Sequence, residues 1–262
     1  MPADQRKGVE VRLRVHVKTR APEIPWDQVI APGRGIVYSA LSRQAPQLGA
    51  KVHETGWGPH RIAPFGYSAP EFPTVKRVRG TYVAGGAGTV EFGSPVEGII
   101  EALAKDFAVI PILDWGGVAL NIEAVTRLAP PAFASGRGRF RTVSPIAIKS
   151  ELTRAPDGSR SGGGWVLPGE VGFDVSLSHS LRRKAETFGY GPVTLEAITW
   201  IGPQRSFSVV GHGSGASSPV RWGKKTGAPV EIEVSGSPAA LQALWSCGIG
   251  GATSAGFGWV RP

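Results

Sequence analysis

The sequence predicts an α+β protein in which one order of strands and helices occurs twice. Three observations carry this prediction. Residues 9–17, VEVRLRVHV, alternate strictly between apolar and polar side chains, as a half-buried antiparallel strand does. Two Ser-Pro pairs, at 94–95 and 237–238, each follow a strand-like run and open a helix-like one. They lie 237 − 94 = 143 residues apart, about half of the 262-residue chain.

The first half begins with the alternating strand. Its apolar face is predicted to be buried and its polar face to meet solvent; the former holds Val9, Val11, Leu13, Val15 and Val17, the latter Glu10, Arg12, Arg14 and His16. A helix is predicted over 33–45. The run 89–107 predicts a strand and then a helix with Ser94 as N-cap, Pro95 at its first position and Glu97 completing a capping box.

The second half repeats this order. It has a predicted strand at 140–152, a helix at 173–189, further strands, and a helix that Ser237 and Pro238 open and Gly248 closes. Strand, helix, strands, second helix, strand is the split β-α-β, ferredoxin-like (RRM-like) plan. We therefore predict two tandem ferredoxin-like domains, 1–128 and 140–262, joined by a linker at 129–139 that is rich in Pro, Ala and Gly.

The charge, cysteine content and apolar runs of the chain limit the classes of protein to which it can belong. Twenty-nine Lys and Arg against 20 Asp and Glu give a net charge of +9 and a pI near 10.0, which favours a polyanionic partner such as nucleic acid. A single cysteine, Cys247, excludes an internal disulfide and a thiolate metal cluster. No apolar run reaches the length of a membrane span and no signal peptide is visible, so we expect a cytoplasmic protein without a membrane partner.

The chain ends in a glycine-rich segment, GIGGATSAGFGWV at 248–260. It lacks the lysine of a Walker loop and, with Thr253 in place of a glycine, the dinucleotide fingerprint. We expect a loop leading into a last strand, with backbone N–H groups that accept an RNA phosphate chain. Its glycines are Gly248, Gly250, Gly251, Gly256 and Gly258. The alternative is that they only allow a helix to pack tightly on the sheet.

Four stretches together resemble a known family. They are PWDQVIAPGRGIVYSALSRQAPQLGAKVHETG at 25–56, GPHRIAPFGYS at 58–68, TVSPIAIKS at 142–150, and the glycine-rich segment. They resemble Cas6, a family in the RAMP superfamily of CRISPR-associated proteins. That family consists of endoribonucleases that cut precursor CRISPR RNA within its repeats, and the resemblance spans both predicted domains.

The resemblance implies catalytic residues at two matching positions, Tyr38 in GIVYSAL and His53 in KVHETG. Family members often carry a lysine in a Gly-Pro-Lys-x-Phe context; here the chain reads GPHRIAPF, so the third role falls to Arg61 or His60. On their own, His53 would be read as a turn histidine and Tyr38 as helix packing.

The implied reaction is metal-independent transesterification. The RNA supplies its own 2′-hydroxyl, and the products carry a 2′,3′-cyclic phosphate and a 5′-hydroxyl. Histidine suits the proton transfers because its ordinary pKa of about 6.5 lies near working pH. The sequence has no H-E-x-x-H motif, cysteine pair or Asp cluster, so no metal or other cofactor is expected. The alternative is a non-catalytic RAMP subunit that binds RNA in a CRISPR effector complex.

The predicted RNA contacts are dispersed over the second half. Lys149 follows SPIAI, Arg139 and Arg141 flank the linker, Arg182 and Arg183 form a helical run with Lys184, and Lys224 and Lys225 lie in a loop. Their sum predicts salt-dependent affinity for RNA, because phosphate contacts release counterions. The expected partners are CRISPR repeat RNA, other effector-complex subunits and a second copy of the chain.

Overall fold

The computed structural model describes residues 12–150, 153–154, 160–161, 164–211 and 221–261. The first half contains β1 (Arg12–Thr19), β2 (Glu23–Ile24), α1 (Pro32–Gln44), α2 (Pro46–Glu54), β3 (Gly66–Tyr67), β4 (Tyr82–Val83), β5 (Gly86–Gly93), α3 (Glu97–Phe107), β6 (Ile112–Trp115) and β7 (Val118–Leu128). Short 3-10 turns span Trp26–Gln28 and Thr253–Ala255.

The second half contains β8 (Arg137–Thr142), β9 (Ile148–Lys149), β10 (Thr153–Arg154), β11 (Arg160–Ser161), β12 (Trp165–Val166), α4 (Phe173–Phe188), β13 (Val193–Ile201), β14 (Arg205–Gly211), β15 (Arg221–Gly227), β16 (Val230–Gly236), α5 (Pro238–Cys247) and β17 (Val260–Arg261). No helix in the described ranges is long and apolar enough to cross a membrane.

The two main sheets share one topology. The first has the order β3-β5-β1-β7-β6 and the second β13-β16-β8-β17, with antiparallel pairing throughout. In the first sheet, β1 lies between β5, which precedes α3, and β7, which follows α3. In the second sheet, β8 lies between β16, which precedes α5, and β17, which follows α5. That is the ferredoxin-like order, with β6 as an added edge strand in the first sheet. The predicted fold class, tandem ferredoxin-like, is confirmed.

Each sheet has its own apolar core. Leu13, Val15 and Val17 are fully buried in the first core, as their alternation predicts. The second core is built around Phe140, Leu177 and Leu241. The first sheet ends at Leu128 and the second begins at Arg137, inside the predicted linker. The domain limits 1–128, 129–139 and 140–262 stay a prediction.

Several local predictions need correction. The strand predicted over 140–152 is β8, which ends at Thr142, and the separate short β9. The predicted N-cap Ser94 is wrong: α3 begins at Glu97, and the Ser94 hydroxyl instead donates to the Pro64 carbonyl at 2.6 Å. By contrast, Ser237 caps α5 as predicted, accepting from the Ala240 N–H at 3.1 Å, and Gly248 ends that helix.

Arg12 was predicted to face solvent but is 1% exposed. Its guanidinium lies 3.7 Å from the ring centroid of Trp259 and 4.2 Å from that of Trp245. It also pairs with Glu91 and donates to the Trp245 carbonyl. Trp259 Nε1 donates to the same Glu91 carboxylate at 3.0 Å. This Arg12 cluster (Arg12, Glu91, Trp245, Trp259) therefore joins the first sheet to the C-terminal unit.

Candidate functional site

The two predicted catalytic side chains lie together. Tyr38 is half-buried on α1 and packs on Phe65 at a centroid distance of 5.5 Å. His53 is exposed in the last turn of α2. Ala45 alone separates the two helices, so the chain turns back on itself and brings the rings edge to face, 5.3 Å apart at 84°. A phenol and an imidazole therefore meet at one surface, where both can reach one bound group.

Arg34 belongs to the same site and was missed at the sequence level. It lies one helical turn before Tyr38, and its guanidinium lies 5.1 Å from the Tyr38 ring centroid. Burial raises the pKa of Tyr38, and the positive charge of Arg34 opposes that rise without reversing it. Tyr38 therefore stays a protonated hydrogen-bond donor at neutral pH. The i, i+4 spacing of the two residues was the available signal.

Arg34 also connects α1 to the glycine-rich segment, because its Nη1 donates to Ser254 Oγ at 3.2 Å. The two residues are 220 positions apart in the sequence. Ser254 is half-buried in the short turn Thr253–Ala255, beside the exposed Gly251. The glycine-rich segment thus borders the surface that carries Tyr38 and His53.

The two candidates for the third catalytic role, Arg61 and His60, have different partners in the structure. Arg61, at a positive φ of 50°, donates from Nε to the Thr55 carbonyl at 3.0 Å, at the C-terminal end of α2. It therefore lies at the end of the helix that carries His53 and interacts favourably with the negative end of the helix dipole. His60 instead pairs with Glu186 on α4 at 2.8 Å. Contact of either residue with a phosphate stays a prediction.

Most glycines of the C-terminal segment serve packing. Gly248, Gly250, Gly256 and Gly258 have positive φ and are buried. A Cβ on Gly250 would lie 2.7 Å from Ile146 Cγ1. The N–H groups of Gly251, Gly256 and Gly258 donate to carbonyls of Ala147, Thr253 and Pro145. RNA contact through this segment stays a prediction, and the exposed Gly251 and the half-buried Ser254 are where the described surface offers it.

Lys184 on α4 forms hydrogen bonds with the glycine-rich segment. It was grouped with the exposed run on α4 but is 5% exposed. Its ammonium donates to the Gly248 carbonyl at 2.7 Å and to Thr253 Oγ1 at 3.2 Å. Burial lowers the pKa of this lysine. Lys184 therefore holds both ends of the turn that precedes Ser254, and it does not meet solvent as the sequence suggested.

The remaining basic residues fall into separate places. Lys149 and Lys225 both lie against the indole of Trp165. Arg139 and Arg141 lie on the second sheet: Arg139 Nε donates to Glu231 Oε1 at 2.9 Å, and Arg141 lies 4.6 Å from the Trp200 centroid. Arg182 pairs with Glu186 at 3.6 Å on the same helix as Arg183. The loop predicted for Lys224 and Lys225 is wrong: both lie on strand β15, where Lys224 is exposed. Lys149 and Lys225 therefore share one aromatic ring, whereas Arg139, Arg141 and Arg182 have other partners.

A family profile decides where the chain belongs. The profile described as "CRISPR associated protein Cas6, C-terminal" matches residues 128–262, just over half of the chain. The chain belongs to the Cas6 family. No curated protein sequence matches it significantly.

Solved structures agree on the fold. A RAMP protein described as binding different RNA substrates has a TM-score of 0.71 at 16% identity, covering 96% of this chain and 98% of its own. A Cas6-related protein from Pyrococcus furiosus has a TM-score of 0.70 at 14% identity, covering 96% and 97%. A CRISPR associated protein Cas6 has a TM-score of 0.67 at 19% identity, covering 96% and 98%.

Cys247 is buried in α5, as expected for a core helix residue. Among the described residues, no group of three or more His, Cys, Asp or Glu side chains is arranged to hold a metal ion. His212 lies outside the described residues.

Proposed function

We propose that this Cas6-family chain is a metal-independent endoribonuclease that cuts precursor CRISPR RNA within its repeats. Membership in the family supports a role in CRISPR RNA processing. The observation that carries the catalytic proposal is the edge-to-face pair of Tyr38 and His53, with centroids 5.3 Å apart. This pair supports the proposal because an exposed imidazole lies beside a half-buried phenol at the two positions where the resemblance implies an active site.

In the proposed reaction the 2′-oxygen of the RNA attacks the adjacent phosphorus. A P–O2′ bond forms as the P–O5′ bond breaks, giving a 2′,3′-cyclic phosphate and a 5′-hydroxyl. His53 accepts the proton of the 2′-hydroxyl as general base, the departing 5′-oxygen takes up a proton from a water molecule, and Tyr38 donates a hydrogen bond that orients the reacting group. Arg34 lies where its charge stabilises the crowded phosphorane.

The proposed partner is CRISPR repeat RNA. Its support is the basic character of the chain and the likeness in fold to a RAMP protein that binds RNA. Association with other effector-complex subunits or with a second copy of the chain stays a prediction.

The test is cleavage of repeat RNA in excess EDTA. Wild type is expected to cut, and His53→Ala to slow cutting by about 10²- to 10⁴-fold while RNA affinity stays within about twofold. His16→Ala, a histidine on β1 that contacts Thr126 at 3.1 Å, is the matched control and keeps wild-type rate. A 2′-deoxy substitution at the cut site abolishes cleavage by wild type.

Variants of Arg34 and Arg61 test which arginine has the third catalytic role. Arg34→Ala and Arg61→Ala are each expected to slow cutting more than binding if they stabilise the phosphorane. An unchanged rate for Arg61→Ala assigns that residue to the end of α2 alone and leaves Arg34 as the cation of the site. Equal RNA binding by wild type and His53→Ala, with no cutting by either, identifies a non-catalytic RAMP subunit and contradicts the nuclease proposal.

A further inference from the structure

An indole with two lysines beside it lies outside the Tyr38–His53 site. Trp165 on β12 pairs directly with Lys149 on β9. Ile148 next to it is buried in the second core, so the alternation of the strand turns Lys149 and Trp165 outward. Trp165 is 37% exposed. We call Lys149, Trp165 and Lys225 the Trp165 cluster.

The two lysines approach the same ring. Lys149 Nζ lies 5.4 Å and Lys225 Nζ 4.6 Å from the indole centroid. Burial, and then the charges of Lys149 and Arg34, lower the pKa of Lys225. Among the described residues, no acidic side chain forms an ion pair with either lysine. Like charges close together oppose folding, and a bound anion would relieve that repulsion.

The chemistry of the Trp165 cluster matches one nucleotide of unpaired RNA. A partly exposed indole offers a stacking face to any base, and the two ammonium groups suit the phosphates on either side of it. We propose that Trp165 stacks an unpaired base of the repeat RNA while Lys149 and Lys225 hold the adjoining phosphates. This inference rests on the proposed RNA substrate.

The position of the cluster suggests which part of the RNA it receives. The strand that carries Lys149 contacts the glycine-rich segment just before it begins, because the Gly251 N–H donates to the Ala147 carbonyl at 3.1 Å, and Arg34 donates to Ser254 of the same segment at 3.2 Å. Arg34 in turn lies over Tyr38, beside His53. A strand that starts on Trp165 and follows these cations reaches the reacting surface. The stacked base is therefore a single-stranded neighbour of the cut phosphate, whereas a base inside a paired stem is not free to stack on a side chain.

The test uses full-length protein and a repeat RNA with a 2′-deoxy at the cut site, so that binding is measured without cleavage. 2-Aminopurine is placed at one position at a time on both sides of the cut. Wild type is expected to quench the fluorescence of one or two unpaired positions. Trp165→Ala abolishes that quenching and weakens RNA affinity by about 5- to 100-fold, and Trp165→Phe restores most of both.

Trp200→Ala is the matched control. Trp200 is 38% exposed and also has a cation, Arg141, over its ring, but that arginine lies beside the acidic Glu231 across the sheet. Quenching is expected to persist in this variant. Replacing the quenched base by an abasic nucleotide should weaken wild-type binding and leave Trp165→Ala unaffected, which a merely misfolded variant would not show.

Quenching that survives in Trp165→Ala, or an abasic penalty equal in wild type and variant, overturns the stacking site. So does quenching confined to positions paired in a stem. The proposed nuclease function fails separately: if wild type quenches through Trp165 but cuts no RNA in EDTA, the stacking site stands and the catalytic proposal does not.

Discussion

Two clusters that each combine basic side chains with tryptophan are used differently in this molecule. In the Arg12 cluster, a guanidinium between two indoles has a carboxylate partner, and the whole group is buried. In the Trp165 cluster, two ammonium groups share one partly exposed indole without an acidic partner among the described residues. Charge compensation thus distinguishes a cation that stabilises the fold from one that is available to an anion.

The largest expected difference is in stability. Arg12→Met leaves the Glu91 carboxylate buried with its pairing reduced to Arg14, and is expected to lower the free energy of unfolding by about 3 to 5 kcal/mol. Lys225→Met should leave that free energy unchanged or raise it, because it removes a repulsion. Urea unfolding of both variants measures the contrast, and equal losses would contradict it.

Neighbouring glycines sharpen the comparison within the segment itself. Gly250 is buried with φ at 87°, so Gly250→Ala is expected to cost about 2 kcal/mol from backbone strain and contact with Ile146. Gly251 is exposed, and the nearest atom to an added Cβ lies 3.6 Å away. Gly251→Ala should stay within about 0.5 kcal/mol of wild type in thermal unfolding. A reversed order would contradict the packing assigned to Gly250.

RNA affinity is expected to depend on the Trp165 cluster, whereas stability is expected to depend on the Arg12 cluster. Replacing Lys149 and Lys225 together by alanine is expected to weaken repeat RNA binding and to reduce the slope of log affinity against log salt by about 2. Lys105→Ala, which removes an exposed lysine on α3, is the control and should keep the wild-type slope. An unchanged slope in the double variant would show that the Trp165 cluster binds no phosphate.

The finest expected difference is in pH dependence. Burial opposes ionisation of Glu91, but Arg12 and the hydrogen bonds from Arg14 and Trp259 together lower the pKa of Glu91. The stability this adds is present above the ordinary Glu pKa of about 4.3 and is lost as pH falls through the lowered value. Lys225, with its lowered pKa, instead penalises folding until alkaline pH removes its proton. Unfolding from pH 3 to 7 should be less acid-sensitive in Glu91→Gln than in wild type.

Local patterns predicted much of the fold. The alternation at 9–17 identified Leu13, Val15 and Val17 as buried, because side chains in a strand alternate between faces. The same pattern put Arg12 in solvent, since periodicity does not detect two tryptophans more than 230 positions away that cover it. Likewise, α2 was not predicted, although Pro46 at its first turn was a readable signal.

The site was predictable in part. The resemblance supplied Tyr38 and His53, and the structure brings their rings together. Neither periodicity nor motif spacing could identify Trp165, because Lys149 on the paired strand β9 and Lys225 on the separate strand β15 meet its ring only in the folded chain. Arg34 needed the contact with Ser254 to be recognised as part of the same surface.

The Arg12 cluster also has a consequence for the order in which the protein can mature on the ribosome. Glu91 is made early, whereas the indole N–H that completes its neutralisation belongs to Trp259. Until Trp259 has been synthesised, the Glu91 carboxylate in the first sheet lacks the hydrogen bond from that indole. The hydrogen bond from Arg34 likewise forms only after Ser254 has been synthesised. A nascent chain therefore cannot complete either the Arg12 cluster or the contact beside Tyr38 until translation has passed Ser254 and Trp259.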